Sequence, residues 1–461
     1  MRPRILSAGL AATLLIGACT GGGDEVAASG SPASKEIPQP VVPHLTMAPD
    51  SQRVDLRLPT FSHPTEVTNP LFPVSRQASV LFLGHVDGKP FRTEVTLLPE
   101  TRIVQWEGQR IETLVSQYMA YLGGRIQEVA YDLYAQADDG SVWYFGEDVA
   151  DFEGGAIVTK EGTWIVGKDG PAAMIMPADP RVGNAYRTEN TPGIAFEQVT
   201  VTSVDRTLDG PLGPIEGGLV AEELHMDGTT EEKLFAPGYG EFFTAGGGDV
   251  EALALAVPTD AASGPLPDEL VTLERGATDI IDAARSPDWH AASSTVRGMK
   301  DAWDAYGSGD VPTLIRPMMT RVLGALDRAV RARDASRARQ AAIDVAQSIL
   351  DLELRNRPAS EVNLARLDLW AAQLLVDAAA RDAAAVRGDV FTLGYIRDRI
   401  LHALNPDAFT AVNIQLGRLQ IAVVDGALAR AARAARRLRA VTAGLSLRRW
   451  SGLAAAGWSP G

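Results

Sequence analysis

YDLYAQADDGSVWYFGED, residues 131–148, sets five aromatic residues and five carboxylates into one short stretch. Side chains alternate across a strand. Leu133 and Ala135 therefore point one way and Tyr134 and Gln136 the other, and after the turn Trp143 and Phe145 oppose Val142 and Tyr144. Large apolar groups fall on both faces, whereas a sheet with one wet face alternates with polar residues. The stretch predicts a hairpin covered on both sides. It turns at Asp138-Asp139-Gly140, either through a two-residue turn with Gly140 left-handed or through a type I turn followed by a glycine bulge. Tyr134, Trp143, Tyr144 and Phe145 form its candidate binding face, and Asp132, Glu147 and Asp148 collect at its far end.

The same period-2 pattern runs outward in both directions. ASVLFLGHVDG (78–88), RTEVTLL (92–98), RIETLVSQYMAYLGG (110–124), GTWIVG (162–167), IAFEQVTVTSV (194–204), GLVAEELHMDG (218–228), EEKLFAPGYG (231–240) and EFFTAG (241–246) are short alternating runs split by Gly, Pro and Asp turns. Such spacing predicts an antiparallel sheet curled into a barrel, half-barrel or sandwich. From about residue 266 the apolar period lengthens to three and four, in an Ala-, Leu- and Arg-rich sequence, which predicts five to seven helices in an antiparallel bundle. Ser286-Pro287, Ser360 after Pro358 and Asp407 after Pro406 are start signals, and Gly307–Asp310, Asn356–Ser360 and Asn405–Asp407 are breaks. The expected class is α+β in two domains: a β-domain over 53–248, a linker over 249–268, a helical bundle over 269–443 and a flexible basic tail over 444–461.

The first nineteen residues are an address. Arg2 and Arg4 precede an apolar run from Ile5 to Ile16, too short to span a bilayer. Ile16-Gly17-Ala18-Cys19 follows it and resembles the lipobox of bacterial lipoproteins, which implies a diacylated Cys19, removal of residues before it and a lipid anchor in the membrane. Cys19 is the single cysteine of the 461-residue chain, so no disulfide forms within it. Residues 20–52 are Gly/Ser/Ala-rich and then Pro-rich, the composition of a tether. The expected location is outside the cytoplasm: the outer membrane in a two-membrane bacterium, or the outer leaflet of a single membrane. Between Ser51 and Leu270 there are 34 acidic against 14 basic residues, a net charge of −20, while Val271–Gly461 carries +6. Nucleic acid is not an expected partner of so acidic a domain.

The 131–148 stretch, with GTWIVG, MIMPADPRVGNAYR and FAPGYGEF downstream, resembles a group of uncharacterised bacterial secreted and lipid-anchored proteins sharing a Tyr-Asp-x-Tyr-Ala-Gln…Asp-Gly-x-Val-Trp-Tyr-Phe-Gly-Glu core. The likeness covers about residues 58–248. It implies a β-domain in the cell envelope and supplies no activity.

Chemical motifs are few, and none implies a cofactor or a catalytic residue. Gly162 to Lys168 fits half of a phosphate loop, but Asp169 stands where a hydroxyl is needed, and the TWIV interior is strand sequence. Asp398 and His402 share a face if one helix carries both. LVAEELHMDGTTEEKLF (219–235) turns at Asp227-Gly228; a two-residue turn would place Glu223 opposite Glu232 and His225 opposite Thr230, making Glu223, His225 and Glu232 a candidate acidic site for a cation. Arg430, Arg433 and Arg437 form a basic stripe able to meet anionic lipid, the acidic domain or only solvent.

Two functions follow. One is a lipid-anchored module holding an apolar or lipidic ligand in its curled sheet; the other is an envelope scaffold with a filled β-core, an electrostatically docked helical domain and a protein partner. An enzyme would need carboxylates such as Asp132, Glu147 and Asp148 held near one another in a pocket.

Overall fold

The computed structural model describes residues 45–283 and 288–445. Strands β1 (Ser79–Val86), β2 (Lys89–Trp106), β3 (Gln109–Leu122), β4 (Arg125–Gln136), β5 (Val142–Glu153), β6 (Ala156–Thr159), β7 (Trp164–Ile165), β8 (Ala173–Met176), β9 (Ala185–Thr191), β10 (Ala195–Gly210), β11 (Gly213–His225), β12 (Thr230–Ala236), β13 (Gly240–Gly246) and β14 (Asp249–Val257) build one 14-stranded antiparallel sheet. Its order is β6-β5-β4-β3-β2-β1-β14-β13-β12-β11-β10-β9, with β7 and β8 paired to β5. The sheet curls without closing: β6 and β9 end the path unpaired with each other. Turns such as Asp87-Gly88 and Gly123-Gly124 have positive φ at both positions, the backbone that lets strongly twisted strands reverse in two residues.

Helices α1 (Asp268–Asp282), α2 (Trp289–Gly307), α3 (Ile315–Arg331), α4 (Ala335–Glu353), α5 (Ala359–Ala380), α6 (Ala383–Asp398), α7 (Pro406–Val424) and α8 (Leu428–Thr442) follow, eight among the described residues rather than five to seven. Asp288, Asp334, Asp382 and Asn405 cap four of them by accepting backbone N–H groups of the first turn. Helix α7 thus starts one step earlier than the Asp407 signal, and α5 starts at Ala359 behind Pro358. Ser286-Pro287, the export signal with Cys19, most of the tether and the tail from Ser446 onward lie outside the described residues.

Two boundaries move. Residues 249–257, expected as linker, are β14, which pairs with both β1 and β13 and joins the two ends of the β-sequence in one sheet. The run VEALALAV shows no polar alternation because both its faces are covered: Leu253 and Ala256 join an apolar cluster with Phe82 and Phe242, while Ala254, Leu255 and Val257 join the helical core. The described end of the expected tether is also seated, with Gln52 accepting the Ala185 N–H at 2.9 Å and Ala48 N–H donating to Gln198.

Opposite faces of β1–β5 have opposite neighbours. Val80 and Phe82 of β1, Ser116 and Tyr118 of β3, and Asp132 and Tyr134 of β4 face an interior cavity. The residues between them meet the helices: Leu81 and Leu83 enter the α1–α5 core, Tyr121 stacks on Trp370 at 5.4 Å, and Tyr131 OH donates to Asp398 at 2.8 Å. The helical half is therefore a brace on the outer face and does not cover the interior.

A buried ionic network fixes the two halves together. Glu94 of β2 lies 2.7 Å from Arg92, 2.5 Å from Arg399 and 3.4 Å from Arg366, and Asp351 of α4 lies 2.6 Å from Arg92 and 2.8 Å from Arg366. Arg399 also donates to Gln117 at 2.6 Å. Burial would push the Glu94 carboxyl up, but the three guanidiniums hold it well below the usual carboxylate range. A second clasp sets Arg125 of β4 against Asp377 at 2.6 Å and Asp389 at 3.6 Å.

Removing one partner of such a network leaves the other charge stranded in a dry site. Arg399→Ala is expected to destabilise the protein by about 3–5 kcal/mol, read as a lower midpoint in urea. The pair Arg399→Met with Glu94→Gln should lose much less than the two single changes together; additivity in that cycle would show that Glu94 and Arg399 do not depend on each other.

Candidate functional site

The cavity lies inside the curl, walled by β1–β5 on one side and β9–β14 on the other. Its volume is ≈ 80 Å³, room for roughly five to eight waters at ~10–15 Å³ each. Phe72, Tyr118, Tyr134, Tyr144, Phe235 and Tyr239 supply aromatic wall, and Asp132, Glu189, Glu197, Glu223, Glu241 and Glu251 supply carboxyls, against a single lysine, Lys233.

Turn geometry decides which carboxyls enter. In the 219–235 hairpin, His225 N–H donates to Thr229 O and Gly228 N–H to His225 O, both at 2.9 Å, with Gly228 at φ +85°. That is a three-residue loop, a type I turn with a glycine bulge, instead of the expected two-residue turn. The register moves by one: Glu223 opposes Glu231, Glu222 opposes Glu232, and Ala221 opposes Lys233. Because a one-residue slip exchanges faces, Glu232 is turned to solvent and leaves the candidate cation site, while Lys233 turns inward beside Glu223.

Two further carboxyls join from elements the motif search passed over. Strand β9 meets β10 across the Thr191-Pro192-Gly193-Ile194 turn, which sets Glu189 opposite Glu197, and Glu197 opposes His225 on β11. Lys233 Nζ lies 2.7 Å from Glu223 and 3.5 Å from Glu241; His225 Nδ1 lies 3.1 Å from Glu197 and its Nε2 3.4 Å from Glu231. Burial pulls the His225 imidazolium down, yet its hydrogen bonds to Glu197 and Glu231 raise it to about 11, so it is a cation here. Glu197, Glu223 and His225 offer donor atoms within 4.8 Å of one another, a set able to hold a metal ion. In this state the imidazolium and the lysine ammonium already stand between those carboxyls.

The 131–148 hairpin closes through the second of its two expected turns: Gly140 N–H donates to Ala137 O and Ala137 N–H to Ser141 O, with Gly140 at φ +92°. Its four candidate aromatic residues divide. Tyr134 and Tyr144 stack at 4.9 Å and line the cavity, whereas Trp143 and Phe145 pack on the other face against Trp106, with Phe61 over Phe145. A bulge then shifts the alternation, and Gly146 occupies it at φ +114°, where a Cβ would lie 2.2 Å from Trp164 O. The shift turns Glu147 inward opposite Asp132, and Asp148 outward to an exposed ion pair with Lys160 at 3.0 Å.

Burial without enough cations keeps these inner carboxyls protonated. Asp132, hydrogen-bonded by Tyr144 OH at 2.8 Å, is raised by burial to about 7, and Glu251 by burial to about 8. Burial pushes Glu147 and Glu189 well above the usual range, with the charge of Glu189 adding to it at Glu147 and that of Glu197 at Glu189. They share a hydrogen bond, which two carboxyls form only when one of them retains a proton, and the Trp164 indole N–H also serves Glu189. Elsewhere, α6 ends at Asp398 and His402 sits in a separate 3₁₀ turn, so that pair shares no helix face. Strand β7 ends in the expected turn, where the Asp169 carboxyl accepts the Ile165 N–H at 2.9 Å.

The raised groups fix the sign of the pH dependence. Asp132, Glu251 and His225 all hold protons in the folded state that the unfolded chain has lost. Their stabilising contributions are complete at low pH and fade as pH rises, through about 7 and 8 for the acids and about 11 for His225. Glu94, held low, acts oppositely and loses its contribution below the ordinary carboxylate value of 4.5. Calorimetry should therefore find a melting temperature highest near about pH 4–5 and falling towards about pH 9, and Asp132→Asn should flatten the part of that fall below about pH 7; a stability that climbs from pH 6 to 9 would contradict the assignment. Among known proteins, no family model matches the chain, and no curated protein is significantly similar to it.

Proposed function

We propose that this chain is a binding module of the bacterial cell envelope, anchored through a lipid on Cys19, that holds a compact, apolar-bodied ligand inside its curled sheet. The observation that carries this reading is the cavity. A sheet serving only as a scaffold gains most by filling its concave side, because empty space forfeits packing energy. Here rings of Phe72, Tyr118, Tyr134, Tyr144 and Phe235 surround open volume instead. The size favours a ligand of roughly five to eight heavy atoms, about one per water-sized space; a full-length acyl chain would require the strands to part. No helix among the described residues is long and apolar enough to cross a membrane, which is compatible with attachment by lipid.

A second reading, an envelope scaffold whose helical half docks electrostatically, draws on Arg92, Arg366 and Arg399 crossing between the halves. That network accounts for the outer face of the sheet and leaves the inner cavity without a role.

Native mass spectrometry of protein released from membranes is expected to show a small-molecule mass excess. Val95 lines the cavity and is only half-buried, so Val95→Phe can fill the space with little strain. That variant should fold normally and lose the excess mass. Apo mass alone in both proteins would sink the ligand reading. Cys19→Ala should shift the protein from the detergent phase to the aqueous phase on Triton X-114 partition, and unchanged partition would remove the lipid anchor.

A further inference from the structure

We infer that the ligand carries a positive charge: the cavity is built for a compact organic ammonium, an apolar body against the tyrosine and phenylalanine wall with its N–H groups directed at Glu189, Asp132 and Glu251. This rests on the binding-module reading above and adds to it the chemical class of the occupant.

The argument begins with an imbalance. Asp132, Glu189, Glu197, Glu223, Glu241 and Glu251 line one small space, and Glu147 stands behind Glu189. The fixed cations are Lys233 and His225, and both are committed: Lys233 to Glu223 and Glu241, His225 to Glu197 and Glu231. Asp132, Glu189 and Glu251 form no ion pair among the described residues. Burying a carboxyl without a counter-charge is costly, and the group keeps its proton instead.

A second observation is independent of the charge count. Glu189 lines the cavity, and its Oε1 is buried without a well-formed hydrogen bond. A buried carboxyl is normally well supplied with donors, and here only the Trp164 indole and a proton shared with Glu147 serve it, neither of them a cation. An ammonium has three N–H donors and no acceptor, which is the complement of a site rich in acceptors and short of donors. Aromatic faces nearby add cation–π attraction, Tyr134 and Tyr144 being stacked at 4.9 Å on the same wall.

A metal ion is the competing cation. Its best donor set is Glu197, Glu223 and His225, but metal binding there must strip the proton from an imidazolium held by two carboxyls and displace the Lys233 ammonium. An organic ammonium paired with Asp132, Glu189 and Glu251 needs neither. Each carboxyl that ionises on its arrival releases a proton, so binding should tighten as pH rises while the amine remains protonated.

Calorimetric titration of the full chain with cyclohexylamine, cyclohexanol and zinc chloride separates the possibilities, since the amine and the alcohol share shape and differ in charge. Cyclohexylammonium is expected to bind ~10- to 100-fold tighter than cyclohexanol, the ratio typical of charge-assisted hydrogen bonds. It should release protons, seen as buffer-dependent heats. Glu189→Gln and Glu251→Gln should each reduce that preference while retaining cyclohexanol binding, with far-UV circular dichroism confirming the fold. Equal affinity for amine and alcohol overturns the inference and leaves the apolar-ligand reading standing. Zinc that binds and expels the amine assigns the charge to a metal and overturns it as well. No binding of either organic probe, with Val95→Phe also unchanged, overturns the reading on which the inference rests.

Discussion

A sheet buried on both faces has no wet side on which to leave its charges, and this constraint organises the molecule. Strands β1–β5 place one set of side chains against the helices and the alternate set against the cavity. Any ionisable group on either face must find a partner, a proton or a ligand. The two faces meet that demand differently. On the outer face Glu94 receives three guanidiniums, Arg92, Arg366 and Arg399, and stays ionised. On the inner face Asp132, Glu147, Glu189 and Glu251 receive none and hold their protons.

The outer solution explains why a sheet with an unclosed path is orderly. Both edges of an open sheet expose unpaired backbone, and here the chain covers them locally: β7 and β8 pair to β5, and residues 52–54 exchange backbone hydrogen bonds with Ala185 on β9. The helical half then grips the convex face through planar guanidiniums, which reach several carboxylates at once in a way an ammonium cannot. Leu81, Leu255 and Val257 extend the same interface as ordinary apolar packing, so the sheet and the α1–α5 core are continuous.

The sequence disclosed the α+β class because alternation and turn residues are local signals. VEALALAV did not disclose β14, since a strand covered on both faces loses the polar alternation that distinguishes it from a helix or an apolar linker. The candidate site was legible only in part, for a related reason: which face a side chain meets depends on counting residues through turns and bulges. Gly228 lengthens one loop by a residue and trades Glu232 for Lys233; Gly146 inserts a bulge and trades Asp148 for Glu147. Glu189 and Glu197 were reachable by the same counting, because the three-residue connection Pro192-Gly193-Ile194 puts them opposite each other. No short motif marks them, and their partners on β11 and β12 are distant in sequence.

The inner face is not explained by stability. A buried carboxyl that serves packing alone can be exchanged for glutamine or an apolar residue of similar volume, commonly at no loss and often at a gain. Asp132, Glu147, Glu189 and Glu251 sit on four different strands, so their convergence is not the by-product of one acidic edge or one turn. Nor are they the partners of Lys233 and His225, whose ion pairs are complete with Glu223, Glu241, Glu197 and Glu231. Tyr144 holds Asp132 in a fixed orientation at 2.8 Å, and stacking on Tyr134 holds Tyr144. Carboxyls oriented in this way, desolvated and left without a protein cation, are arranged to receive charge from outside the chain, because a site that binds by ionising must first be kept neutral at a cost the fold bears elsewhere.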